Sequence, residues 1–246
     1  GALSLTGAAF THTGAYTLSG AVLVNAGTAN FNASTAMNAS SIAIGGGTAN
    51  FNGALTDGGT LTISTGTANF NAATSVAGAL NLSGGTLSGS GVVTVNGTGS
   101  QWTGGTMSGT GSTVVSGTNT LEISGGTKFF TQRTLTTNGL TTWSGGAIGA
   151  GNGGTFNNNG TFDIQVNTTW FNNFGGNSTT LNNAGALTRT QGTGVAGLDK
   201  AIVNNTGSVS VQTGTLRLSN SALAGEIGSG NGSYTVAGGA TLDFSG

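Results

Sequence analysis

Proline and cysteine are both missing from this 246-residue chain, and charge nearly so. Lys and Arg number 5 and Asp and Glu 6, so charged residues make up 4%, against about 25% in ordinary globular domains. Each deficit excludes something. Without cysteine there is no disulfide framework and no thiolate zinc site. Five scattered cations and a net charge of −1 cannot build a phosphate-binding face, so nucleic acid is not an expected partner. No apolar run reaches the roughly 18 residues of a membrane span. No signal-peptide pattern is present, and a chain starting at Gly1 without Met reads as a processed product or an excerpt.

What is present is Gly, at 49 positions, with Thr, Ser, Asn, Ala and aliphatics. Glycine and weak helix formers at this density argue against helix, at about 1 kcal/mol per interior Gly. No window sustains a 3.6-residue apolar period. Disorder fits poorly too, because Val, Ile, Leu, Phe and Trp recur on schedule. The schedule shows first in Gly-Thr-Ala-Asn-Phe-Asn, which begins at Gly27, Gly47 and Gly66. An aliphatic residue precedes each copy, and carrying that position forward gives Val24, Ile44, Ile63, Leu82, Trp102, Ile123 and Trp143. Leu5 extends the series backwards; Ile164, Leu187, Val211 and Val236 extend it forwards with longer steps.

A period near 20 residues with Gly-rich corners is a solenoid, because so short a unit cannot bury an apolar face alone. The Leu spacing of leucine-rich repeats is missing, and short alternating triplets lie between turns instead. The reading is an all-β, right-handed parallel β-helix of about twelve coils with three short strands each. It forms a single domain over 1–246, regular through 1–165 and longer-coiled over 166–246. At about 4.8 Å per coil the rod is roughly 55–60 Å long. Strand alternation turns Ala29, Ala49, Ala68, Phe31, Phe51 and Phe70 inward. Thr28, Asn30, Thr48, Asn50, Thr67 and Asn69 then form outward columns, in which Asn amides bond up the stack. Corners with φ > 0 account for Gly, and for the three apolar-Asn-Asn-x-Gly segments starting at Phe156, Leu181 and Val203. Proline is missing because every interior strand needs its N–H for the next coil.

Units such as Leu82-Ser-Gly-Gly-Thr-Leu-Ser-Gly-Ser-Gly and Trp102-Thr-Gly-Gly-Thr-Met-Ser-Gly-Thr-Gly resemble the repeats of large secreted bacterial β-helix proteins. Filamentous-haemagglutinin-like adhesins and autotransporter passenger domains are the families meant. The resemblance runs from about Leu5 to the end and rests on the repeat alone, so it carries over no binding residue. It implies a secreted or cell-surface bacterial location and a role as adhesin, stalk or extracellular fibre.

The acids lie at Asp57, Glu122, Asp163, Asp199, Glu226 and Asp243. Glu122, Asp163, Lys128 and Arg133 fall within a few coils of each other, but nothing forces them to converge, and they read as solvated surface charges. His12 reads as a solvated side chain and Asp199-Lys200 as a loop. Gly-rich corners such as Gly151-Asn152-Gly153-Gly154 lack the acidic ligands of a calcium roll. No enzyme activity, cofactor or metal is expected. Trp102 and Trp143 hold spine positions and read as core. The period breaks at Trp170, Phe171 and Phe174, read either as an exposed contact patch or as loose packing in a widened coil. Neither terminus shows a polar cap, so the expected partner is the chain itself, end to end or through flanking coils. A host surface or glycan is the further expected partner. Two alternative functions stand beside the structural one: ice binding through the Thr/Asn columns, and carbohydrate binding or processing.

Overall fold

A computed structural model describes residues 1–14, 17–33, 35–37, 40–218 and 228–245. Strands recur in threes, for example Ser41–Ile44, Thr48–Phe51 and Leu55–Asp57, then Thr60–Ile63, Thr67–Phe70 and Thr74–Val76. Equivalent strands of successive coils pair in parallel, which makes three rows. The first and second rows form one 22-stranded sheet and the third a 10-stranded sheet. The first two rows join because Leu3–His12 and Val22–Phe31 run through the corner as single strands. About ten turns carry all three rows among the described residues, which contain no helix. This is a parallel β-solenoid, in agreement with a right-handed parallel β-helix.

The first row sets the register. Leu5 pairs with Val24, Val24 with Ile44, Ile44 with Ile63, Ile63 with Leu82, and Leu82 with Trp102. Ile123, Trp143 and Ile164 follow in the same column. Val24, Ile44, Ile63, Leu82, Trp102, Ile123 and Trp143 are all buried. One member of the extended series is displaced. Ile164 pairs with Arg189, and Arg189 with Val211, while Leu187 sits two residues earlier beside Phe162 and Val209. Strand alternation keeps Leu187 on the inward face, so the hydrophobic pattern alone did not reveal the slip. The last spine member, Val236, pairs with Val211.

Beside the spine runs a column of stacked rings. Phe31 and Phe51 lie 5.0 Å apart and Phe51 and Phe70 4.9 Å apart, each pair within 6° of parallel. The backbone forces this stacking. Like residues sit one strand spacing apart, so the rings meet face to face instead of edge to face. His12 registers with Phe31 and stacks on Phe10 at 6.3 Å, half-buried at the foot of the column instead of solvated. The column ends at Phe70. A Cβ on Gly89 in the next coil would stand 2.2 Å from the Phe70 carbonyl oxygen.

The apolar-Asn-Asn-x-Gly segments work differently from the corner reading. Their paired Asn residues lie within the strands Thr155–Asn158, Thr179–Asn183 and Ala201–Asn205, and none has positive φ. The non-Gly residues that do are Gln132, Asn152 and Lys200. The closing glycines also avoid positive φ, and close approach is what demands them. A Cβ on Gly160, Gly185 or Gly207 would stand 2.1, 1.9 or 2.0 Å from a carbonyl oxygen of the coil before.

Candidate functional surfaces

Alternation places one Asn of each pair outside and the other inside. The outer set forms a ladder: Asn182 Nδ2 donates to Asn157 Oδ1 and Asn204 Nδ2 to Asn182 Oδ1, at 2.8 and 2.9 Å. The inner set is fully buried. Asn158 donates to Asn183 Oδ1 and Asn183 to Asn205 Oδ1, at 2.7 and 2.8 Å. Each of these amides also reaches a backbone carbonyl, Ala186 O or Ser208 O, at 2.9 Å. A buried amide is tolerated best when its donors and acceptors are met, and repetition meets them along the stack up to its first member, where Asn158 Oδ1 has no partner.

The early coils carry two ladders outside. Asn50 donates to Asn30 and Asn69 to Asn50, at 2.7 and 2.8 Å. Asn52 donates to Asn32 and Asn71 to Asn52, both at 2.7 Å. The Thr column beside them runs through Thr28, Thr48 and Thr67 and continues through Thr86 and Thr106. These outward amides are occupied with each other.

The basic residues depart most from the sequence reading. Lys128, Arg133 and Arg189 are buried, not solvated. Lys128 Nζ donates to the carbonyls of Ser124 and Gly145, at 2.5 and 2.6 Å. Burial pulls its pKa down to about 8, partly offset by the Glu122 charge. Arg133 donates to Ser112 O, Ser108 O, Gly89 O and Thr113 Oγ1, at 2.7, 3.1, 3.4 and 2.8 Å. It thus reaches back to the glycine that follows the Phe column, and burial lowers its pKa to about 10. Arg189, at the spine position, donates to Val166 O, Asn167 Oδ1, Gly194 O and Gly192 O. Burial lowers its pKa as well. All three guanidinium or ammonium groups are met by backbone carbonyls, two of which, Gly89 O and Gly194 O, also accept an N–H of the next coil. In the sequence Arg189 would have shown itself if Ala186-Leu-Thr-Arg had been laid on Ser208-Val-Ser-Val, which alternates identically.

The acids scatter. Asp163 accepts from Gln165 Nε2 at 2.8 Å, from Thr188 Oγ1 at 2.9 Å and from Thr190 Oγ1. Glu122 accepts from Ser144 Oγ. Asp199 sits in a turn and holds Arg217 in a bidentate pair at 2.6 and 2.8 Å. Asp57 is buried in the third row; one oxygen accepts from Gly59 N–H while Oδ2 has no partner, and burial pushes its pKa up. Asp243 is half-buried, and its bonds to Ser245 hold its pKa down. Glu226 lies outside the described residues. No group of three His, Cys, Asp or Glu suited to a metal occurs among the described residues.

The aromatic break at residues 170–174 divides. Trp170 is no contact residue: it is buried and packs on Phe130 and Phe156, with ring centroids 6.0 Å apart in each case. Phe171 and Phe174 point outward, half-buried and 43% exposed. Sequence reading missed their neighbour Phe129, which follows Thr106 in the outward Thr column. Phe129 meets Phe174 edge to face at 5.7 Å. Phe129 and Phe171 both lean over Gly149, whose added Cβ would stand 2.9 Å from one ring and 3.3 Å from the other. Next to them the inserted corner overhangs a cleft of about 500 Å³, lined by Asn172, Asn173, Gly175, Gly176, Asn177, Ser178 and Lys200. The corner is anchored on the coil before it: Asn152 N–H donates to Gly175 O and Gly153 N–H to Asn177 O, both at 2.8 Å. Comparison with known proteins found no matching family model, no matching curated protein and no matching solved structure.

Proposed function

We propose that this β-solenoid is a non-enzymatic structural segment of a larger secreted or cell-surface assembly, an adhesin, stalk or extracellular fibre. The observation that carries this reading is the state of the last coil. Tyr234 and Val236 register with the buried Val209 and Val211, so they stand in interior columns, yet they are 48% and 44% exposed. Phe244 packs on Tyr234 and is 55% exposed. At the other end Leu3, Leu5 and Phe10 are only half-buried against the core. Two apolar end faces with the same column chemistry accept another coil, either of the same chain or of a second copy.

The interior supports a mechanical role. Rings, amides and aliphatic residues each stack on their own kind, so the rod is held along its axis as well as across it. The cations that would be needed for chemistry at the centre of the molecule are engaged by backbone carbonyls, which supports the non-enzymatic reading. The outward amides of the early coils, which the ice-binding alternative would use, already bond to one another. Electron microscopy of the purified chain tests the proposal. Rods that lengthen in steps with concentration agree with it; uniform single rods at high concentration count against end-to-end assembly.

A further inference from the structure

We propose that the cleft under the 173–178 corner, with the phenyl platform beside it, binds a carboxylate-bearing polysaccharide. This does not depend on the structural role above, because the site lies on the side of the rod and not at its ends.

The chain's cations make the first argument. Of its five, Lys128, Arg133 and Arg189 are buried on carbonyls, and Arg217 is paired with Asp199. Lys200 is exposed and has no ion-pair partner among the described residues. Its backbone sits at φ 58°, which turns it out of the strand path at the lip of the cleft. Its neighbour Asp199, the natural competitor for the ammonium, is already neutralised by Arg217. Asp243 shares the Arg217 charge from the next coil, but no carboxylate lines the cleft itself, so Lys200 is the one charged group on its wall and favours an anion there.

The cleft walls make the second argument. Asn173 and Asn177 put exposed amides among exposed glycine backbone, and Asn172 holds the corner in shape by accepting Gly175 N–H on Oδ1 at 3.1 Å. An amide presents one donor face and one acceptor, which suits neighbouring sugar hydroxyls. Phe171 and Phe174 add apolar ring surface next to it, and Gly149 keeps the platform low by leaving the rings room to fold down. An acidic peptide would find the charge here but no free strand edge to pair with, since the rows on both sides are stacked coil on coil. Amides, rings and one unpaired ammonium together fit a sugar polymer carrying carboxylates.

Titration calorimetry on the whole chain tests this with short alginate and hyaluronan oligosaccharides. The controls are the same sugars with their carboxylates reduced to alcohols, and poly-glutamate. Saturable binding of a uronate sugar is expected, weakened by added salt. Lys200→Gln and Phe174→Ser should each raise Kd about tenfold, which is about 1.4 kcal/mol. Both side chains are exposed, so unchanged thermal melting will show that the variants remain folded. Three results would overturn the proposal: no saturable binding of either uronate sugar, equal affinity for the reduced sugars or for poly-glutamate, or full affinity in both variants.

Discussion

Single residues show where stability is given up inside the stack. Asp57 occupies an interior third-row position, between Met37 and Val76, with a buried oxygen that meets no donor. Its carboxyl is pushed above 3.8 by burial, so the folded chain holds a proton there that the unfolded chain has released. Raising the pH through that range therefore destabilises the fold. Asp57→Asn keeps the acceptor for Gly59 and removes the charge. Its melting temperature should exceed that of the wild type at neutral pH and lose the acid-side fall, as followed by circular dichroism. Lys128 works in the opposite pH range. Folded, it sheds its proton near 8; unfolded, near 10.5. Between these values the unfolded state binds the extra proton, so stability rises with pH. Lys128→Met should flatten that rise in melting temperature. Neither residue is conspicuous in the sequence. A polar residue in an alternating strand looks outward unless the register of its neighbours is known.

At the scale of the strand and corner, the two kinds of Asn ladder should differ in energy despite identical chemistry. Asn183→Ala removes the donor to Asn205 Oδ1 and Ser208 O and the acceptor for Asn158, all within the core. Leaving such groups unmet costs about 2 kcal/mol. Asn50→Ala breaks two bonds of equal length on the outside, where water replaces them, and should cost about 1 kcal/mol or less. Denaturant titration of the two variants measures the difference, and equal losses would contradict the inside-outside assignment. The spine from Leu5 to Ile164 was legible because coil length barely changes there, and the outward Asn amides do bond as their period implied. Beyond it, residues inserted at corners shift the register without disturbing the alternation, so Leu187 and Arg189 are equally admissible from pattern alone. Arg189 is then excluded by its charge, although the carbonyls of Val166, Gly192 and Gly194 accommodate that charge once the corner has closed. For Trp170 the pattern left contact patch and core packing both open, and the structure takes the second. Its neighbours Phe171 and Phe174 break the period outward, while Trp170 keeps the inward column of Ile148 and Leu198 and packs its ring on Phe130 and Phe156.

For the whole molecule, the main issue is how a nearly uncharged rod ends. Along its length, each coil pairs its backbone with the next and packs its interior columns on those of its neighbours. That cohesion is lost at a terminal coil, where interior columns meet solvent. Tyr234, Val236 and Phe244 hold that position. In most proteins surface charge would discourage a second molecule from adding there, but charged residues are only 4% of this chain. If the end face recruits a further coil, the column order sets the docking register: the Val236 column would meet Leu5, and the Leu242 column the strand that carries Phe10. Tyr234→Lys combined with Val236→Lys places two charges in columns that a docking coil must bury. The double variant should remain folded, because both side chains are already exposed, and should sediment as single rods at concentrations where the wild type forms longer species. The reciprocal variant, Leu5→Lys at the other end, should block growth equally, and mixing the two blocked chains should give pairs that do not extend. Side-by-side association, by contrast, would survive both sets of substitutions, so sedimentation velocity on the three samples separates axial stacking from lateral contact.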